Sequence, residues 1–84
     1  MAGYHLATIE RGDYGQLSKI KEEVMEALDA NLQNNPLMVL IELSDIIGAI
    51  EGFLDNHFEG KITLEDLITM AHATKRAFQS GTRK

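Results

Sequence analysis

From Pro36 to about Asn56 the chain is apolar nearly all round a helical wheel: Leu37, Met38, Val39, Leu40, Ile41, Leu43, Ile46, Ile47, Ile50, Phe53 and Leu54. A helix of that kind is expected to be central and buried. Its start is marked by Pro36, whose missing N–H would be unpaired in a first turn anyway, and by Asn35, a good cap. Glu42 and Asp45 interrupt the pattern. At about 100° per residue they fall on one face, about 60° apart. Burying an unpaired carboxylate costs several kcal/mol, so these two acids need a cation, bound water or exposure in a groove. Gly48, Ala49 and Gly52 lie on the same side and leave open volume beside them. The plainer alternative is that this side faces solvent or a closely packed partner helix.

A first helix is expected from Gln16 to about Asn31, where Leu17, Ile20, Val24 and Leu28 recur at three- and four-residue spacing. Glu22, Glu23 and Glu26, with Lys19 and Asp29, occupy the face opposite that stripe. Charged faces of this kind are most often simply solvated. If the short Leu32 to Asn35 connection folds the two helices antiparallel, however, Glu26 can face Glu42, and four carboxylates converge. A third helix begins at Thr63, which with Asp66 three residues on resembles a capping box. It is expected to turn Leu64, Leu67, Ile68, Ala71 and Phe78 to the core and to fray near Gly81, before a basic tail at 81–84. Residues 1–15, with Gly3, Gly12, Gly15, Asp13 and Tyr14, form an irregular entry segment. The expected architecture is one all-α domain over residues 1–84, with three main helices in an antiparallel bundle.

A chain of 84 residues without cysteine has no disulfide or thiolate-zinc supplement to a small core. Self-association, as a homodimer or homotetramer completing a four-helix-bundle-like core, is the expected remedy. The net charge of −5 argues against a polymer-binding protein that neutralises nucleic-acid phosphates. No stretch is long and apolar enough for a membrane span, and no signal-peptide pattern is present, so a cytoplasmic location and no membrane partner are expected. Clustered carboxylates without thiolates favour Mg²⁺, or Mn²⁺, over zinc, and suit phosphoryl chemistry on a triphosphate.

The pattern Glu22-Glu23-x-x-Glu26, followed after fifteen residues by Glu42-x-x-Asp45, resembles the EExxE and ExxD signature of MazG-like nucleoside triphosphate pyrophosphohydrolases. The likeness extends to Ser18-Lys19-Ile20-Lys21, to Ile46-Ile47-Gly48-Ala49-Ile50-Glu51 and to Lys75-Arg76-Ala77-Phe78, covering most of residues 4 to 83. Short single-domain versions, often encoded by bacteriophages, are the most similar in pattern, which would place the protein in a host cytoplasm. The resemblance implies cleavage of (deoxy)nucleoside triphosphates between the α and β phosphates by a helical dimer or higher oligomer. It makes Glu23, Glu26, Glu42 and Asp45 Mg²⁺ ligands and Glu22 the residue that orients or deprotonates the attacking water. Lys75, with Arg76 or Lys19 as alternates, would meet the remaining phosphate charge, although each could equally be a surface cation.

Rival assignments remain. Phosphoribosyl-ATP pyrophosphohydrolase shares this helical fold and similar acidic signatures. A non-catalytic helical dimer that binds a host protein would use the acids only as a solvated face. Residues 55–66 superficially resemble a calcium-binding EF-hand loop, but His57 and Asp66 stand where that loop needs other ligands. Tyr4, His5 and Tyr14 could recognise a base, though small domains often use such residues to cover a core.

Overall fold

The computed structural model describes residues 8–81, and among these it is all-α. Three helices follow one another: α1 over Leu17–Leu32, α2 over Pro36–Phe58 and α3 over Leu64–Ser80. The starts of α2 and α3 are fixed by the local chemistry expected of them, whereas Gln16 at the start of α1 makes no side-chain cap. At α2 the Asn35 side chain accepts from the Met38 N–H at 3.2 Å, and Pro36 takes the first helical position. At α3 the capping box is complete, with the Asp66 N–H donating to Thr63 Oγ1 and the Thr63 N–H donating to Asp66 Oδ2 at 2.8 Å. Gly81 ends α3 in the left-handed conformation.

The brief turn between α1 and α2 folds them into an antiparallel hairpin. The start of α1 therefore meets the end of α2, where Asn56 Nδ2 donates to the Gly15 carbonyl at 3.1 Å and His57 Nε2 lies 3.2 Å from Gln16 Oε1. Phe53 stacks on the His57 ring at 4.2 Å between centroids and steadies it. The segment before α1 is tied down as well. Gly12 donates its N–H to Glu22 Oε1 at 2.8 Å, and Asp13 donates to Ser18 Oγ at 3.0 Å. Only glycine fits at position 12, since a Cβ there would collide with the Ser18 carbonyl group.

The packing reverses two expectations drawn from hydrophobic periodicity. The faces that α1 and α2 turn to each other carry Glu22, Glu23, Asp29 and Ala30 on one side and Glu42 and Ala49 on the other, while Gly52 is covered by Tyr14 and Leu54 is buried on a different face of α2, beside Ile62 and Leu64. Their apolar stripes point outward, so Leu17, Leu28, Leu32, Leu37, Leu40 and Ile47 are exposed. The central, buried helix expected over 36–56 is therefore not buried within one chain. Nor does α3 reach a core: it touches α2 only slightly and α1 not at all, and Leu64, Leu67, Ile68, Ala71 and Phe78 are partly or fully exposed. The Cα radius of gyration, 14.6 Å, exceeds the roughly 12 Å of a compact domain of this length.

Candidate metal centre

The hairpin brings together carboxylates from both of its helices. Glu22, Glu23 and Glu26 of α1 each offer an oxygen within 4.8 Å of the others, and so do Glu23, Glu42 and Asp45 across the two helices. Glu23 belongs to both groups and joins them into one cluster. Glu22, Glu23 and Glu42 are buried, Glu26 is half-buried and Asp45 is exposed. Among the described residues these are the only such groups of potential metal ligands. The EF-hand alternative has no counterpart, because the Asp66 carboxylate is engaged in capping α3.

A solvated acidic face is thereby excluded for most of the cluster. Glu42 retains 1% of its accessible surface and is the largest fully buried side chain described. Burial pushes its carboxyl above the usual carboxylate range, and the charge of Asp45 and a hydrogen bond to Asp45 push it further. Burial beside a like charge disfavours the ionised form of the buried Glu42 carboxyl. Glu22 is shifted the other way. Its burial would raise the carboxyl, but the Gly12 N–H, the Lys19 ammonium and the charges of Lys19 and Arg11 outweigh that and hold it below the ordinary value.

Lys19 bridges the α1 acids, with Nζ 3.2 Å from both Glu22 Oε1 and Glu23 Oε2. Burial would lower its ammonium, yet the bonds to and charges of these two glutamates leave it raised. The expected phosphate-binding cations thus separate. Lys19 lies at the acid cluster, whereas Lys75 lines an apolar groove on α3 with Leu67, Met70 and Phe78. Arg76 is exposed on the same helix. Within one chain α3 does not contact α1, so neither Lys75 nor Arg76 is brought to the α1 carboxylates.

Beside the cluster runs a cleft of about 500 Å³, bounded by Glu23 and Lys19 of α1, by Ser44, Asp45, Gly48, Ala49, Glu51 and Asp55 of α2, and by Tyr14. The chain matches no protein-family model, no curated protein and no solved structure. Chemistry alone therefore has to say what the site does. All its converging donors are carboxylate oxygens, the set that hard divalent cations such as Mg²⁺ and Mn²⁺ prefer. Their burial suits a charged guest that repays desolvation.

Four residues of the cleft and its surroundings are not placed at the site by spacing alone. Glu51 and Asp55, four residues apart on α2, line the cleft with Asp45, a pairing that the apolar residues between them mask in the sequence. Asp29 follows Glu22 and Glu26 at the same kind of interval, and it is buried with its Oδ2 accepting from Gln33 Nε2 at 3.1 Å. Tyr14 reaches the cleft from the entry segment, which no periodicity addresses. Tyr4 and His5, the other base-recognition candidates, and the tail residues 82–84 lie outside the described residues.

Proposed function

We propose that the chain is a Mg²⁺-dependent pyrophosphohydrolase that cleaves (deoxy)nucleoside triphosphates between the α and β phosphates, releasing a nucleoside monophosphate and pyrophosphate. The observation that carries the proposal is the convergence of Glu23, Glu42 and Asp45 from two helices, their oxygens within 4.8 Å, with Glu42 fully buried. Such a charge concentration is costly unless a cation offsets it. The MazG-like resemblance of the same residues agrees with it. The chain's residues would hold the cation with Glu23, Glu42 and Asp45, and Glu26 would extend the ligand set through Glu23 toward a second ion. Mg²⁺ held there supplies charge neutralisation for the phosphates and acidifies a coordinated water.

Glu22 is kept ionised and fixed by Gly12 and Lys19, which suits it to orient the attacking water by hydrogen bonding. Lys19 lines the cleft and is the cation within reach of a phosphate there. Lys75 and Arg76 would join it only across an assembly of chains. Such an assembly is part of the proposal, as a homodimer or homotetramer. The buried apolar residues described in one chain are Ala30, Ala49 and Leu54, too little to hold a domain against its conformational entropy.

The proposal is tested by incubating the protein with a panel of NTPs, dNTPs and phosphoribosyl-ATP, with Mg²⁺ or with chelator, beside Glu42→Gln. Metal-dependent release of monophosphate and pyrophosphate, lost in the variant, is the expected result. Turnover of phosphoribosyl-ATP alone would transfer the activity to that substrate. No release from any nucleotide would favour a non-catalytic helical assembly that binds another protein through its exposed apolar faces.

A further inference from the structure

Tyr14 is 71% exposed, so it covers no core, yet its ring is held in place. The phenol end lies against Gly52 so closely that a Cβ at that position would come within 2.5 Å of Tyr14 Cζ. The backbone on either side is anchored, through the Asp13 N–H to Ser18 Oγ and through the Gly15 carbonyl to Asn56 Nδ2. An aromatic ring presented in this way loses little freedom when something binds to it. What it faces is the acidic cleft, of which it forms one wall.

The cleft has two chemically different ends. Glu23 and Asp45, members of the carboxylate cluster, mark one. Gly52, beneath Tyr14, lies about two helical turns farther along α2, some 10 Å by the rise of a helix, a gap that a ribose can span. Glu51 and Asp55 stand beside the tyrosine end, and ionised carboxylates only accept hydrogen bonds. Resting on the function proposed above, we infer that Tyr14 is the platform on which the nucleotide base stacks. Glu51 and Asp55 then favour bases that carry an exocyclic amino group. Gly52 is the residue whose missing side chain admits the ring.

The test compares wild type, Tyr14→Phe, Tyr14→Ala and Gly52→Ala by calorimetry with Mn²⁺ alone, with inorganic triphosphate plus Mn²⁺, and with non-hydrolysable α,β-imido dCTP, dATP and dTTP plus Mn²⁺. Tyr14→Ala and Gly52→Ala are expected to weaken the nucleotide analogues roughly tenfold or more, the scale of losing one aromatic stack. Mn²⁺ and inorganic triphosphate should bind them as they bind wild type, and Tyr14→Phe should bind all ligands normally. Gly52→Ala replaces a helical glycine by a better helix former, so it remains informative if Tyr14→Ala fails to fold. Nucleotide affinity unchanged in both variants, or triphosphate weakened as much as nucleotide, overturns the platform and leaves the metal centre standing. Preference for the dTTP analogue overturns the assignment of Glu51 and Asp55. A wild type that binds neither Mn²⁺ nor any triphosphate refutes the function itself, and the platform with it.

Discussion

At the scale of single residues, Glu42 and Glu22 are neighbours in one cluster with opposite electrostatic character. The Glu42 carboxyl is raised by burial and by Asp45, so the folded, metal-free protein holds its proton more tightly than the unfolded chain does. Folding stability should therefore fall as pH rises from the unfolded value of 4.5 through the raised folded value. Glu22 is lowered by Gly12 and Lys19 despite its burial. Its contribution is present above 4.5 and is lost as pH falls below that value. Glu42→Gln removes only the first effect. Urea unfolding of the metal-free variant at neutral pH is expected to show a gain on the order of 1–2 kcal/mol, shrinking to nothing below the unfolded carboxylate value. A loss of stability at neutral pH would mean that Glu42 is already compensated without metal.

Helices and turns were the most legible level in the sequence, because their signals are local. Asn35 with Pro36 and Thr63 with Asp66 each state a helix start within a few residues, and each makes the hydrogen bonds that its chemistry implies. The spacing of Glu42 and Asp45 likewise placed both on one face of α2, close enough to act together. Which face of each helix turns inward was not legible. Periodicity locates a stripe of Leu17, Val24 and Leu28, but not whether another part of the chain or another chain covers it. In α1 and α2 acidic and small residues meet inside the hairpin, and the leucines other than Leu54 remain exposed. The contact of Tyr14 with Gly52 joins residues far apart in sequence, and the bond from Gly12 to Glu22 joins a loop to a helix. Neither leaves a periodic trace.

At the scale of the whole molecule, the described residues leave much apolar surface exposed. Leu32 at 79% and Leu37 at 67% exposure flank the α1–α2 turn, and Leu28 and Leu40 continue apolar surface along the two helices. Fully burying one such leucine contributes about 1.5–3 kcal/mol, so a few of them across an interface outweigh anything buried within the chain. Light scattering is expected to report a dimer or tetramer at micromolar concentration. Leu28→Glu should shift the population to monomer and abolish cooperative unfolding. A wild type that is monomeric and still unfolds cooperatively would show that the exposed stripes are not an interface between copies.

The central claim is that the buried carboxylates of α1 and α2 form a binding site for a divalent cation, and titration with Mn²⁺ tests it without assuming a substrate. Followed by calorimetry and by melting temperature, wild type should bind Mn²⁺ saturably, melt higher as the site fills and lose both effects with chelator. Glu42→Gln and Asp45→Asn should bind at least tenfold more weakly, as expected when a charged ligand is removed. If wild type takes up no Mn²⁺ at millimolar concentration, or if both variants bind it as well as wild type does, Glu23, Glu42 and Asp45 are not a metal centre.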